Sequence, residues 1–142
     1  LNNDGNLDVV INCLNAPAMI LKNKLPAKNT IDIAFKGSDK NKNGIGAKAW
    51  VFTKGKMQYG QLMTTRGFQS SCDPKLHFGI DNLRYIDSIL IVWPDQKYQL
   101  LKNTPAKGYI ELKQVEAGGQ FDYNTFFKIT PICYIGVVIS NA

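Results

Sequence analysis

Apolar residues recur at every second position along most of this chain, the spacing of strands that bury one face and wet the other. Residues 30–36 show it most plainly, with Ile31, Ile33 and Phe35 set against polar neighbours before the pattern breaks at Gly37 into a long polar loop. Short apolar runs at 9–13 and 18–21 flank an Asn15-Ala16-Pro17 turn and predict a hairpin. Residues 47–53 and 57–64 flank Lys54-Gly55-Lys56 and predict a second. The most apolar segment, 86–93, stops at a Pro94-Asp95-Gln96 turn, after which 98–101 is expected to return beside it. Tyr109, Ile110 and Leu112 mark a further strand over 108–115, and His77 lies between Leu76 and Phe78 on another. No segment sustains a period of 3.6. The reading is therefore all-β, an antiparallel sandwich-like or barrel module rather than an α/β enzyme. It assigns 30–115 to that module, 25–29 (Leu25-Pro26-Ala27-Lys28-Asn29) to a linker, and the aromatic, β-branched stretch 116–142 to a β extension of one or two strands.

Composition narrows this picture only in places. At 142 residues the chain has room for one domain, or one domain and a fragment of another. Its longest weakly polar stretch, 129–139, is about half of the roughly 20 residues a spanning helix requires, so it reads as buried strand and no transmembrane segment is expected. The net charge of +6 comes almost wholly from single lysines, with Arg66 and Arg84 the only arginines. Readers of nucleic acid cluster their charge and rely on arginine for bidentate base contacts, so nucleic acid is not an expected partner. Cys13, Cys72 and Cys133 are widely spaced and odd in number; one disulfide is possible among them, and buried free thiols are the commoner outcome. No basic start followed by an apolar stretch is visible.

The first residues carry the clearest chemistry. In Asn2-Asn3-Asp4-Gly5-Asn6-Leu7-Asp8, oxygen-bearing side chains alternate around a glycine. A tight calcium loop needs that alternation, because every second side chain turns inward and Ca²⁺ takes six to eight hard oxygens. Asn2, Asp4, Asn6 (through its carbonyl) and Asp8 are the candidate ligands. The first ligand of such a loop would precede Leu1, so the sequence reads as a piece of a longer protein whose complete form holds Ca²⁺, with weak or absent binding in this fragment. The same residues also suit a plain Asx and glycine turn before the strand at Val9.

The heptapeptide with its following strand resembles the FG-GAP/VCBS repeat, one blade of a β-propeller, and would make residues 1–24 the end of a last blade. Asn41 with Gly44-Ile45-Gly46-Ala47, then Gly67-Phe68, Ser70-Ser71, Asp73, Leu76-His77-Phe78-Gly79, and finally Val92-Trp93-Pro94 resemble the ASPIC/UnbV domain in order and spacing. Two turns depart from that pattern, at Gly79-Ile80-Asp81 and at Trp93-Pro94-Asp95-Gln96. The resemblance implies a secreted or cell-surface protein, extracellular or periplasmic, with upstream propeller repeats in the same chain. With no reaction implied by the resemblance, the expected function is non-catalytic binding or adhesion toward an extracellular protein or glycan.

Three further groups compete for a role. Asp39-Lys40-Asn41-Lys42-Asn43-Gly44 starts like a calcium loop, but Ala47 and Trp50 stand at the ninth and twelfth positions and two lysines flank its one carboxylate. A polar loop is the better reading. Ser70, Ser71, Asp73 and His77 include the residue types of a catalytic triad, yet no Gly-x-Ser-x-Gly elbow is present and His77, the only histidine, is expected to be a hydrogen-bonded strand residue. The reading is therefore not an enzyme, with a hydrolase the distant alternative. Trp93, Tyr98 and Tyr85, with Phe68 and Tyr59, could form an aromatic platform for sugars if they reach one face; at strand spacing such residues more often fill a core. A glycan-binding accessory module is the alternative function.

Overall fold

The structure, a computed structural model, describes residues 2, 4–65 and 67–126. At the N-terminal end β1 (Val9–Ile11) and β2 (Met19–Leu21) form an antiparallel hairpin in which Val10 faces Ile20. All six of their residues are exposed, from 38% at Ile11 to 65% at Ile20. A two-stranded ribbon of this size has no interior of its own.

The remaining strands are β3 (Asn29–Lys36), β4 (Lys48–Thr53), β5 (Lys56–Gln61), β6 (Lys75–Asp81), β7 (Tyr85–Val92), β8 (Lys97–Pro105), β9 (Gly108–Lys113) and β10 (Gly118–Gln120). They form a five-stranded sheet, β10-β8-β7-β4-β5, and a three-stranded sheet, β6-β3-β9. Alternation along each strand turns Ile31, Ile33 and Phe35, Ala49 and Val51, Leu76, Phe78 and Ile80, Ile89 and Ile91, and Leu112 into one shared core between the sheets. The sandwich is thus built from the period-two pattern. One pairing departs from the antiparallel expectation: β9 lies beside β3 in parallel, Ile33 opposite Ile110. A parallel partner must arrive by a long connection, which strand-by-strand periodicity does not reveal.

β7 explains why its segment is the most apolar. Its inner residues meet the second sheet, while Leu90 and Val92 join Trp50 beneath Phe121 on the outer face of the five-stranded sheet. Both faces are covered. The cover comes from the segment after β10, where Asp122 caps a single helical turn, Tyr123–Phe126, by accepting from Asn124 N–H at 2.9 Å and Thr125 Oγ1 at 2.6 Å. The expected β extension over 116–142 is described as far as residue 126, where it comprises β10 and this helical turn; residues 127–142, with Cys133, lie outside the described residues.

Two turns position the rest. Lys54 and Gly55 both take positive φ, 44° and 75°, the turn that matches strand twist in a two-residue hairpin. The loop between β3 and β4 is organised by Asn41, whose Oδ1 accepts from Ile45 N–H at 2.9 Å and whose Nδ2 donates to the Ile45 carbonyl at 2.8 Å. That loop delivers Gly44, at φ 61°, onto Phe35 and Trp93, which meet edge to face at 5.6 Å.

A methyl group at Gly44 would lie 2.8 Å from Phe35 Cβ and 3.0 Å from Trp93 Cζ3, whereas at Gly55, also at positive φ, it would meet nothing within 4 Å. Gly55→Ala is therefore expected to cost about 1 kcal/mol from backbone strain alone. Gly44→Ala adds overpacking and is expected to cost about 3 kcal/mol in total. Equilibrium denaturation of the two variants checks the difference.

Candidate functional site

The outer face of the three-stranded sheet is polar because β3 alternates. With Ile31 and Ile33 turned inward, Asp32 faces out; its neighbours across the sheet are His77 on β6 and Tyr109 on β9. These three form one row across adjacent strands about 4.8 Å apart, roughly 10 Å in all. His77 Nδ1 lies 2.6 Å from Asp32 Oδ1, and Lys75 Nζ reaches Asp32 Oδ2 at 3.2 Å and Asp73 Oδ2 at 3.3 Å. Partial burial works to raise the Asp32 pKa, but the hydrogen bonds from His77 and Lys75 outweigh it and hold the carboxyl below its ordinary value. Hydrogen bonds to Asp32 and then Asp73 raise Lys75 in turn. The Asp32 carboxylate is fixed in position and kept charged.

Beside this row opens a groove of about 430 Å³, lined by Asp4, Lys28, Thr30, Asp32, Lys107 and Tyr109 among others. The N-terminal loop forms one wall, a Cβ at Gly5 standing 3.4 Å from Thr30 Oγ1. Lys28 is paired with Asp81 at 2.7 Å. The expected linker residues 27–29 therefore line the groove, with Asn29 already inside β3 and its amide donating to the Leu83 carbonyl at 2.8 Å.

In the N-terminal loop, Asp4 accepts from Asn2 Nδ2 at 2.6 Å and from Asn6 N–H at 2.9 Å, and these two bonds lower its pKa, Asn2 first. Asp8 Oδ1 accepts from Asn23 N–H at 2.8 Å, and Asn6 Nδ2 donates to the Leu25 carbonyl at 3.0 Å. Asn2, Asp4, Asn6 and Asp8 offer hard oxygens, so the donors fit Ca²⁺ in kind. Asn2 presents its nitrogen to Asp4, however, and has to turn its amide over before both could serve one cation. Among the described residues no group of three or more His, Cys, Asp or Glu side chains gathers as a metal site.

The candidate aromatic platform does not assemble. Trp93 is 1% exposed, sealed in the core, and its Nε1 donates to Gln99 Oε1 at 3.0 Å. Tyr98 belongs to the outer-face cluster and meets Phe121 edge-on at 5.9 Å. Tyr85 is 61% exposed, but it starts β7 while Tyr98 is paired with Val92 at the other end, about 23 Å along the strand. The alternation of inward and outward positions separates them. Tyr59 leans on Trp50 at 5.0 Å, and Phe68 is 89% exposed in the loop after β5. The triad-like residues are also apart in role: Ser70 Oγ donates to the Phe68 carbonyl in its own loop, Asp73 pairs with Lys75, and the His77 ring pairs with Asp32. Cys13 and Cys72 are free thiols, but Cys13 is half-buried and Cys72 exposed, not buried as expected.

Sequence reading missed Asp32, Lys75, Lys107 and Tyr109. The available signal was Asp32 at an outward position of the best-alternating strand; its partners come from strands 45 and 77 residues downstream.

A scan against protein-family models matches residues 37–119 to the family described as ASPIC and UnbV. None of the curated proteins matches the chain.

His77→Ala leaves Asp32 without its closest partner and is expected to cost about 1–3 kcal/mol in a thermal or denaturant melt. Because the folded pKa of Asp32 is lowered, its stabilising contribution is present above the unfolded value of about 3.9 and is lost as pH falls through the folded value. Melts between about pH 6 and pH 2 should therefore show a smaller acid-induced loss in Asp32→Asn than in the wild type. Calorimetry with Ca²⁺ should show little heat at micromolar concentration, with binding emerging near about 1 mM and removed by Asp4→Ala.

Proposed function

The chain belongs to the ASPIC and UnbV family, and on that footing we propose that it is a non-catalytic binding or adhesion module of a secreted or cell-surface protein. One observation carries this reading above the others: an open groove bordered by a fixed, charged Asp32 and an exposed Tyr109 on a rigid sheet face. Sites that hold a ligand without transforming it need complementary groups in fixed places and no nucleophile aligned with a base. His77 fits such a site, since its ring ties β6 to Asp32 while the Ser70 hydroxyl bonds within its own loop.

In this reading residues 1–24 are the end of an FG-GAP/VCBS-type propeller blade, and Ca²⁺ held by Asn2, Asp4, Asn6 and Asp8 stiffens its hairpin. Support comes from the β1–β2 ribbon itself, whose six apolar residues are all exposed and suit burial beneath further strands of a blade. No residue of either core cluster precedes Ile31, so the interior of the sandwich is built without the ribbon. No helix among the described residues is long and apolar enough to cross a membrane.

The test is a binding screen of the chain against immobilised extracellular-matrix proteins and glycans, run beside an esterase and glycosidase panel. Saturable binding without turnover is expected. Hydrolysis that disappears in a normally folded His77→Ala variant would overturn the proposal.

A further inference from the structure

We infer that the groove between the N-terminal loop and the three-stranded sheet binds a neutral oligosaccharide, with one sugar ring stacked on Tyr109 and its hydroxyls donated to Asp32. This deepens the binding-module reading and rests on it. The residues differ from the platform that sequence spacing suggested: they come from β3, β9 and the two walls of the groove rather than from Trp93, Tyr98 and Tyr85.

Charge narrows the ligand class first. The ionisable side chains lining the groove are two carboxylates, Asp4 and Asp32, two ammonium groups, Lys28 and Lys107, and the Tyr109 phenol. A phosphate or sulfate would meet the two carboxylates, and a cation would meet the two lysines, so neither is favoured over water by the groove as a whole. A polyol is favoured, because each hydroxyl donates and accepts and can satisfy acceptors and donors set side by side.

Geometry then selects a sugar. Tyr109 is 61% exposed beside Asp32 and supplies an aromatic ring against which the apolar face of a pyranose can stack. Asp32 stands beside it in register on the neighbouring strand. Each Asp32 oxygen already accepts one bond, Oδ1 from His77 and Oδ2 from Lys75, and each keeps a lone pair for a ligand hydroxyl. The Thr30 hydroxyl and the Lys107 ammonium supply donors from the same walls. Because Asp32 is held from two sides, little of its side-chain freedom remains to be lost on binding. The volume of about 430 Å³ lies within the range of small-ligand sites.

The experiment is fluorescence titration of labelled cellotetraose, mannotetraose, galactotetraose and chitotetraose with the full chain, with a heparin-derived tetrasaccharide as the anionic probe. At least one neutral probe should bind. Tyr109→Ala should weaken that binding about tenfold with an unchanged melting temperature, and Tyr109→Phe should stay within about twofold of the wild type, since the ring is retained. Asp32→Asn should weaken it by a similar factor, and Lys102→Ala, on β8, should leave it unchanged. Undiminished binding by Tyr109→Ala overturns the assignment of the site. Binding confined to the heparin probe and lost in about 0.5 M salt overturns the neutral-sugar class. Binding to a matrix protein but to no neutral probe overturns this inference and leaves the binding-module reading standing; binding to neither overturns both.

Discussion

The register of β3 is the constraint on which the rest depends. One strand supplies Ile31, Ile33 and Phe35 to the core from one face and Asp32 to the outer surface from the other. A slip of one residue would bury the carboxylate and expose the isoleucines, so the burial that stabilises the sandwich also fixes where the charge stands. β6 and β9 flank β3, and the same register brings His77 and Tyr109 to either side of Asp32. Core and surface row are two consequences of one pairing.

The scaffold around that strand is stiff for identifiable reasons. β7 is covered on both faces, by the second sheet on one side and by Phe121 with Trp50 on the other. At the open end of the sandwich Gly44 lets the β3–β4 loop press on Phe35 and Trp93, and Gln99 ties the Trp93 indole to the Lys113 carbonyl of β9. Side chains mounted on such strands hold their positions better than side chains on loops. The groove combines both kinds of support, with Asp32 and Tyr109 on strands and Asp4, Lys28 and Lys107 on the segments that frame it.

How far this was legible in the sequence follows from which interactions are local. Alternation placed β3, β4 and β7 closely, because each strand carries its own inward and outward pattern; Lys54-Gly55 marked its hairpin for the same reason. Ends were less visible. β8 runs on to Pro105, beyond the apolar run that ends at Leu101, because its later residues, with no apolar alternation to mark them, are held by pairing with β7. The surface row was hidden altogether, since it joins residues 32, 77 and 109 through one antiparallel and one parallel pairing. The aromatic residues left two readings open for a related reason: an indole reads alike in a core and on a platform until its face of the sheet is known, and Trp93 lies inward.

Mapping perturbed positions residue by residue tests most directly the proposal that the β3 row is a ligand-binding surface. Amide chemical shifts of the isotopically labelled chain, followed during titration with the best-bound oligosaccharide, report each backbone position separately. The largest changes are expected at residues 30–32, 77 and 107–109, with β5 and the outer face around Trp50 unmoved. Changes centred instead on Tyr59, Trp50 and Tyr98, with the β3 row silent, would contradict it.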